Sequence, residues 1–496
     1  MSATETIVSI KPLLAVLVSA LATIPIILFS RRPNLREGVT FLAGAIKFGL
    51  VVSMLPPVLQ GKLIEYTLFP LTPTVPLQFR VDPMGMLFAL VASSLWIITS
   101  AYSIGYMRGL KEHSQTRYFA FFALSLSATL GVAFAGNLLT LYLFYEMLSM
   151  STYPLVTHHQ DGEARSGGRQ YLTYLLGTSV GFALPAILYT YYLTGTLDFT
   201  ATGLLAGKVS GLNGVVLLML MVFGFSKAAI MPFHSWLPSA MVAPTPVSAL
   251  LHAVAVVKVG VFCVLRVITG VFGVQFLNGA DLITPIMYFA AFTVIVSSLI
   301  ALSQDNLKRR LAFSTIGQLS YIVLGATLLS PKALTGSMVH IAMHAFGKIT
   351  LFFCAGAIFV ATGKKYISEM MGIGRQMPIT MTAFFIGSMS VVGLPFTGGF
   401  LSKLYLIWGA VEADRMAMMV VYLISSFLNA AYFFPIVYHA FFSEQKNPSR
   451  KAKFKEAPAW CVVPLSLTAL GSMVLFFHPE PFFTLAEMMV QRLFGG

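Results

Sequence analysis

The chain has 496 residues, of which 57% are hydrophobic and only 10% charged, and its mean hydropathy is +0.81. Because soluble domains carry about 25% charged residues, this composition excludes a soluble globular protein. The net charge of +14 would suit a nucleic-acid ligand, but the basic residues lie mostly in short connections between apolar runs, so we predict a membrane protein that binds no nucleic acid.

About fourteen apolar runs follow one another along the chain, and each is long enough to cross a bilayer core of roughly 30 Å. They lie near residues 11–30, 39–59, 84–106, 118–135, 137–156, 170–193, 213–233, 247–269, 282–303, 311–329, 335–361, 379–410, 417–442 and 458–478. We therefore predict an all-α polytopic membrane protein with about 14 transmembrane helices. The first run lacks a basic leader and a cleavage site, so we expect it to be a retained helix.

The basic residues are distributed unequally between the connections. Those after odd-numbered runs hold most of the Lys and Arg residues, including segments 31–36, 308–310 and 446–455. Those after even-numbered runs hold few: Lys62, Arg80, Lys208, Lys332 and Arg415. By the positive-inside rule the odd-numbered connections are cytoplasmic, which predicts that both termini lie outside a bacterial-type cytoplasmic (inner) membrane.

Several ionisable residues lie within the apolar runs. They are one glutamate and a set of lysines: Glu146, Lys47, Lys227, Lys258, Lys348 and Lys403. A charge at mid-bilayer depth costs on the order of 2.5 to 3.5 kcal/mol on the lenient insertion scale, so such residues are rare and mark ion pathways. The alternative is snorkelling or a static interhelical pair, and for Lys47, near the start of its run, we prefer snorkelling. We assign Arg266 to a helix terminus.

His340, His344 and Lys348 recur at intervals of four residues and so form one polar stripe on an otherwise apolar helix. A metal site would need further carboxylate or thiol ligands, and the cysteines of the chain stand singly, so we expect no metal and no cofactor. Because imidazole both donates and accepts protons near neutral pH, the stripe favours a proton relay. His252, on a different helical face from Lys258, is either a further relay group or a packed polar side chain.

Two of the predicted helices contain breaks. Pro232 opens a proline-rich stretch after Lys227, and Pro395 stands among glycines in GLPFTGGFLSK, shortly before Lys403. Proline removes a backbone donor and glycine adds freedom, so each helix should be interrupted at membrane depth. Such interruptions expose helix ends that ions or water can satisfy. A simple packing kink is the alternative at each site.

The positions of the two breaks predict an internal repeat. If helices 4 to 8 form one unit (residues 117–270) and helices 9 to 13 another (residues 280–443), the broken helix is the fourth member of each. Because five is an odd number, the second unit enters the membrane from the opposite side, which gives two inverted five-helix repeats. The remaining units are three N-terminal helices (residues 1–116) and a C-terminal helix with its tail (residues 457–496).

Long motifs carry a resemblance to a known family. They are FGFSKAAIMPFHSWLPSAMVAPTPVSALLHAVAVVKVGVF at 223–262, QDNLKRRLAFSTIGQLSYI at 304–322, HAFGKITLFFCAG at 344–356 and GLPFTGGFLSKLYL at 393–406. With these motifs the chain resembles the antiporter-like subunits of respiratory complex I, membrane-bound hydrogenases and Mrp-type cation/proton antiporters. The length, Lys403 and SSFLNAAYFFPIVYHAFF at 425–442 are most similar to the D-type subunit of the Mrp antiporter. Phe396 stands where the family often has a second proline.

The resemblance implies roles for the buried residues. Glu146 matches the glutamate of the fifth helix, Lys227 its partner lysine, Lys258 the bridging lysine and Lys403 the terminal lysine. His252, His344 and Lys348 fall where the family has further relay groups, and His340 joins them as a candidate on the stripe. We expect Glu146 and Lys227 to act as an electrostatic switch, because a carboxylate beside a buried lysine favours its charged form and separation disfavours it.

Residues and resemblance together predict a transporter subunit rather than an enzyme. It would be the proton-translocating subunit of a multi-subunit Na+ (monovalent cation)/H+ antiporter, with other membrane subunits as partners, moving protons and Na+ in a lipid bilayer. The chain has no nucleotide-binding loop, flavin fingerprint or cluster-binding cysteine pattern, so it performs no redox chemistry alone. Two alternatives stay open: a proton-pumping subunit of an NADH:quinone oxidoreductase or membrane-bound hydrogenase complex, and a stand-alone permease.

Overall fold

The computed structural model of the chain describes residues 5–443 and 454–495, and these residues are mostly helical. Within them, ten helices are long and apolar enough to cross a membrane, and two shorter apolar helices accompany them. A helix lies in each apolar run of the sequence. The predicted helical membrane fold is confirmed, whereas the number of about 14 crossings stays a prediction. The basic segment 446–455 lies mostly outside the described residues.

The helices of the N-terminal half are interrupted more often than their apolar runs indicate. In chain order they are α1 Lys11–Leu28, α2 Pro33–Leu59, α3 Pro83–Gly109, α4 Gln115–Ala133, α5 Leu138–Val156, α6 Gly162–Thr178, α7 Leu184–Thr194, α8 Gly211–Gly224, α9 Trp236–Ser239, α10 Thr245–Ala249 and α11 Val256–Arg266. Three π-helical segments occur here, at Ser179–Ala183, Leu250–Val254 and Val267–Phe272. Such segments are rare and often lie at functional sites.

The C-terminal half contains longer helices. They are α12 Val274–Ala280, α13 Thr284–Ser303, α14 Leu307–Thr327, α15 Pro331–Thr362, α16 Pro378–Val392, α17 Gly398–Glu412, α18 Met416–Phe442, α19 Ala459–Phe477 and α20 Glu480–Phe494. The last of these is a correction, because residues 457–496 were predicted to hold one helix and a tail. Buried Leu485, Met489 and Leu493 recur every four residues in α20, which is the helical signal that the prediction missed.

Three short strands form a sheet that the all-α prediction missed. They are β1 Thr6–Val8, β2 Leu63–Thr72 and β3 Val75–Val81, arranged in the order β1-β2-β3. β1 runs parallel to β2, with Thr6 opposite Leu63, and β2 runs antiparallel to β3, with Ile64 opposite Val81. Alternating β-branched and aromatic residues on either side of a tight turn are typical of a hairpin.

Backbone contacts join several connections of the chain. The sheet joins the N-terminal strand to the α2–α3 connection, and Arg492 of the C-terminal α20 donates to the Gly61 carbonyl in the same connection (2.6 Å). A backbone bridge between Asn306 and Tyr366 joins the α13–α14 connection to the segment after α15.

The 32-residue helix α15 is the centre of the packing. It begins at Pro331, where the Ser330 hydroxyl accepts from the Ala333 amide (3.2 Å), and it ends at Gly363, whose φ of +75° stops the helix. Its neighbours are α3, α10, α14, α16, α17, α19 and α20. α15 thus contacts elements from each of the four predicted units. These contacts do not separate the units from one another, and the division into four units stays a prediction.

Lys47 is a correction to the sequence analysis. It lies in the middle of α2, is fully buried, and does not snorkel. Its ammonium donates to the Ser19 hydroxyl (2.5 Å) and the Leu126 carbonyl (3.0 Å), and it stands 5.2 Å from the Trp96 ring centroid. Oxygen acceptors from α1 and α4 therefore hold this ammonium inside the protein.

Arg266, which the sequence analysis assigned to a helix terminus, is buried and is the last residue of α11, where the π-helical segment Val267–Phe272 follows directly. Its guanidinium donates through two nitrogens to Asp82, the residue that caps α3 by accepting from the Gly85 amide (2.8 Å). A bidentate arginine–carboxylate pair is strong and geometrically specific. The pair fastens α11 to the start of α3, next to the sheet.

We expect Asp82→Asn to destabilise the protein by about 3–5 kcal/mol, because asparagine keeps the helix cap but leaves Arg266 buried without a counter-charge. The measurement is the free energy of unfolding of the purified chain in mixed micelles. Glu5→Gln, which breaks the exposed pair with Lys62, is the matched control and should change it by about 1 kcal/mol or less. Equal effects of the two substitutions would contradict this view of the Asp82 pair.

Candidate functional site

Glu146 lies near the middle of α5, which begins where the Asn137 side chain accepts from the Thr140 amide (2.8 Å). Both carboxylate oxygens are buried, and neither has a hydrogen-bond partner among the described residues. A buried acceptor without a donor is costly and requires an explanation. The carboxylate is therefore poised to accept a partner that it does not hold in this arrangement.

Lys227 lies in a break between helices. α8 ends at Gly224, and Lys227 sits in the short 3₁₀ turn Ser226–Ala228. Sequence reasoning placed this break at Pro232, which follows a cis peptide bond, but the α-helix ends eight residues earlier. The side chain of Lys227 is thereby freed from a helical face and reaches across to α5.

The Lys227 ammonium is held by α5 through neutral groups. It donates to the Tyr145 carbonyl (2.8 Å) and the Ser149 hydroxyl (2.7 Å), and it lies 3.1 Å from the Tyr145 ring centroid. The predicted partner Glu146 is the next residue of α5, yet no carboxylate oxygen of Glu146 lies within 4.0 Å of the ammonium. The two charges are neighbours without being an ion pair.

The backbone of Lys227 packs directly against α11 at Gly260. A Cβ at Gly260 would collide with the backbone of Lys227 and Ala228, so only glycine permits this approach. Lys258 lies two residues before Gly260 on the same helix. The close approach therefore sets the distance between the helix break that carries Lys227 and the helix that carries Lys258.

Lys258 and His344 form a direct contact between α11 and α15. The Lys258 ammonium nitrogen lies 2.7 Å from His344 Nδ1, and both side chains are buried. α11 begins just after the π-helical segment Leu250–Val254 and a distorted Ala255 (φ −97°, ψ −82°). The sequence analysis did not predict this irregularity, which is a third interruption in the helices that carry the buried charges.

From His344 the polar groups continue along α15 to Lys403. The rings of His344 and His340 stack with centroids 5.6 Å apart, and His340 Nδ1 lies 2.8 Å from the Ser402 hydroxyl. The Tyr321 ring stacks on His340 at 6.0 Å, and the Lys403 ammonium stands 4.6 Å from the same ring. We call Lys227, Lys258, His344, His340 and Lys403, taken in that order, the buried polar line.

Lys403 uses the break between α16 and α17. Its ammonium donates to the carbonyl of Val392, the last residue of α16, at 3.1 Å, and to the Ser426 hydroxyl at 3.2 Å. Gly393 has φ +89°, and a Cβ there would lie 2.6 Å from Lys403 Cδ. The break around Pro395 thus supplies both an acceptor and the space for this lysine.

The remaining relay candidates lie beside the buried polar line. Lys348 donates to the Ser314 hydroxyl (2.8 Å), which also accepts from the Tyr432 hydroxyl (2.9 Å), forming a branch one turn beyond His344. His252 is fully buried against Phe352 (ring centroids 4.9 Å apart), and neither ring nitrogen has a partner among the described residues. Its contacts suit a packed side chain better than a link in the line.

Known proteins resemble the chain over this whole region. The family described as "NADH:quinone oxidoreductase/Mrp antiporter, TM" matches residues 135–429, more than half of the chain and every residue of the buried polar line. The chain belongs to this family. The predicted resemblance is confirmed.

Two curated members of the antiporter family illustrate its range. NADH-quinone oxidoreductase subunit N of Desulforudis audaxviator is 32% identical over 90% of this chain and 91% of its own length. The probable A/B subunit of a K(+)/H(+) antiporter of Rhizobium meliloti is 30% identical over 92% of this chain, but the chain spans only 46% of that protein. The chain therefore corresponds to nearly all of the first relative and to less than half of the second.

A solved structure shares the fold. The structure of the Mrp complex from Dietzia sp. contains a chain that superposes with a TM-score of 0.86, covers 98% of both chains and is 20% identical. This likeness supports the helical architecture described above. The antiporter family fold thus extends through the N-terminal helices and α20, beyond residues 135–429.

Sequence reasoning missed the groups that hold the buried lysines. They are the Tyr145 and Val392 carbonyls and the hydroxyls of Ser149, Ser314 and Ser426. The Ser402 hydroxyl, which contacts His340, was missed as well. Ser149 and Ser402 each lie within four residues of a predicted site residue, a spacing that could have suggested them. The carbonyls have no sequence signal, because every residue carries one.

Gly260→Ala should destabilise the protein by about 1–3 kcal/mol, because the added methyl must displace the segment that carries Lys227. Gly279→Ala is the matched control, since a Cβ at Gly279 meets nothing within 4 Å. Thermal unfolding of both purified variants in one detergent would measure the difference. A Gly260→Ala midpoint equal to that of Gly279→Ala would show that the two segments do not pack as closely as described.

Proposed function

We propose that the chain is the proton-translocating subunit of a multi-subunit monovalent cation/H+ antiporter. The observation that carries this proposal is the buried polar line, in which lysines and histidines follow one another from the turn after α8 to the α16–α17 break. Intramembrane ionisable groups are expensive and typically mark ion pathways. Membership of a family that includes antiporter subunits supports the same conclusion.

Glu146 acts in this proposal as an electrostatic valve on Lys227. Burial disfavours a charged lysine, and a nearby carboxylate favours it. In the described arrangement the two groups are apart and Lys227 is held by a carbonyl, a hydroxyl and an aromatic ring. A rotation of either side chain into contact would favour the charged ammonium, and return to the present arrangement would favour release of its proton.

The released proton would move along the buried polar line. Lys258 receives it and shares it with His344 across their 2.7 Å contact. The stacked ring of His340 and the Ser402 hydroxyl then lead to Lys403, whose charge would act on the next subunit of the complex. Lys348 with Ser314 provides a side store, and His252 is the candidate least integrated into the line.

The assembly and orientation follow from the same reasoning. We propose partners among other membrane subunits, transport of H+ against Na+ or another monovalent cation, and a place corresponding to the D-type subunit of an Mrp-type complex. The excess of Lys and Arg in odd-numbered connections puts those connections in the cytoplasm and both termini outside a bacterial-type inner membrane. The protein would use no cofactor and catalyse no reaction of its own.

A second candidate is a proton-pumping subunit of a redox-driven membrane complex. It is favoured by the relative from an NADH-quinone oxidoreductase, which matches this chain over 91% of its own length. The buried polar line would serve the same purpose there, with the energy coming from electron transfer in other subunits. A stand-alone permease is less well supported. It would use a central substrate cavity, and such a cavity gives the line of charged groups no function.

Glu146→Ala and Lys227→Ala should each abolish cation-driven proton movement, because each removes one half of the valve. The measurement uses inverted vesicles from an antiporter-deficient bacterium that expresses the chain with its neighbouring genes. Lys47→Met is the matched control, since Lys47 is as buried as Lys227 but its ammonium has only Ser19, Leu126 and the Trp96 ring as polar or cation–π partners among the described residues. It should retain transport at close to the native rate.

The same assay separates the candidates. Exchange on adding Na+ or K+ that requires the neighbouring genes supports the antiporter proposal, and activity of the chain alone would favour the permease. Failure of every cation, combined with proton pumping on addition of an electron donor, would assign the chain to the redox-driven complex. Native transport in Glu146→Ala would refute the valve.

His344→Ala should slow transport on the order of 10²-fold, the lower end of what a positioned proton donor contributes, whereas His252→Ala should slow it much less. The reason is that His344 contacts Lys258 directly and His252 contacts no polar group among the described residues. Initial rates in the same vesicles, normalised to the amount of assembled protein, provide the comparison. The opposite order of the two variants would exclude the path through His344.

A further inference from the structure

Four residues of types that bind metals, one glutamate and three histidines, meet outside the membrane-spanning helices. Glu112 and His113 lie in the α3–α4 connection, and His158 and His159 lie in the α5–α6 connection. We call these four residues the histidine cluster. Sequence reasoning tested only the intramembrane pair His340 and His344 for metal binding, so this cluster was not considered. It lies at the ends of α3 and α5, on the predicted cytoplasmic side.

The Glu112 carboxylate is the centre of the cluster. One ring nitrogen of each histidine faces it: His159 Nε2 at 3.3 Å, His158 Nε2 at 3.9 Å and His113 Nδ1 at 3.9 Å. The ligand atoms of Glu112, His113 and His158 all lie within 4.8 Å of one another. Two chain connections that are 45 residues apart in sequence therefore converge on one point.

The hydrogen bonds around the cluster leave Nδ1 of His113, the ring nitrogen that faces Glu112, available to a metal ion. His113 Nε2 lies 3.1 Å from the His158 carbonyl, and a carbonyl can only accept, so Nε2 carries the proton. The other ring nitrogen, Nδ1, faces Glu112 and is the atom that the neutral ring offers to a metal. Arg117 donates to the same carbonyl at 2.7 Å and so fixes the position of the His158 backbone. This is how outer groups usually set the tautomer of a metal-binding histidine.

The burial of His158 supports a metal site independently of the distances to Glu112. Its side chain is fully buried, and neither ring nitrogen has a hydrogen-bond partner among the described residues. A metal ion would satisfy a buried ring nitrogen that the described residues leave without a partner.

We propose that Glu112, His113, His158 and His159 bind one divalent transition-metal ion of the Zn²⁺ class. Zn²⁺ takes histidine nitrogen at about 2.0–2.1 Å and carboxylate oxygen at about 2.0–2.2 Å in tetrahedral sites, which places ligand atoms roughly 3.3 Å apart. His159 lies 3.3 Å from Glu112 Oε1, and His113 and His158 lie 3.9 Å from Glu112 Oε2. Because the ligand atoms of Glu112, His113 and His158 lie within 4.8 Å of one another, the widest separation must close by up to roughly 1.5 Å to reach this geometry. The proposal does not depend on the proposed transport function.

The test measures metal binding by the purified full-length chain, which must carry no polyhistidine tag. Titration with Co²⁺ should give the visible absorption of a four-coordinate ion at one ion per chain, and Zn²⁺ should displace it. His158→Ala and Glu112→Gln should each weaken Zn²⁺ binding at least about 10-fold, the usual lower limit for losing even an outer-sphere partner. His478→Ala removes an exposed histidine elsewhere and should leave the affinity unchanged.

Thermal unfolding is a second measurement that distinguishes a loss of metal binding from misfolding of a variant. Zn²⁺ should raise the thermal unfolding midpoint of the native chain and of His478→Ala, because a ligand that binds only the folded state stabilises it. It should not do so for His113→Ala, a substitution at a half-exposed position that the fold should tolerate. Absence of stoichiometric binding, or equal affinity in His158→Ala and His478→Ala, would overturn the proposal.

Discussion

The structure depends on how ammonium groups are kept inside a medium that excludes them. Each of three deeply buried lysines is held by neutral acceptors and not by a carboxylate: Lys47 by Leu126, Lys227 by Tyr145, and Lys403 by Val392, in each case through a backbone carbonyl. The Leu126 and Tyr145 carbonyls belong to uninterrupted helices, which share them with the ammonium. The Val392 carbonyl lies at the end of α16, where the break frees a group that a regular helix would keep occupied.

The two helix breaks give a buried lysine its neutral acceptors in different ways. At the α8 break, the lysine itself leaves the helix and reaches to intact α5. At the α16–α17 break, the lysine stays on a helix and the acceptor is the freed carbonyl of the preceding one. Neutral acceptors stabilise an ammonium without fixing it permanently, whereas an ion pair would hold the proton firmly. Glu146, with two unpartnered oxygens, is the exception that can change this balance.

The sequence predicted the parts of the fold that depend on composition and on rare residues. Apolar runs located the helices, and Glu146, Lys227, Lys258 and Lys403 stood out because charges are scarce in such runs. What it missed depends on geometry. Lys227 meets α5 at the Tyr145 carbonyl and the Ser149 hydroxyl and not at Glu146. The burial of Lys47 depends on acceptors from α1 and α4. The sheet was missed because its hairpin is short beside the apolar runs.

The contact between Lys258 and His344 also limits the number of protons that can lie between the two nitrogens. Two nitrogens 2.7 Å apart can share one proton comfortably, but both cannot point a proton at the other. In the proposed function this contact would carry protons between the two predicted five-helix units, since α11 belongs to the first and α15 to the second. A second proton would then follow only after the first had left His344. Transport would proceed one proton at a time, whether cation exchange or electron transfer drives it.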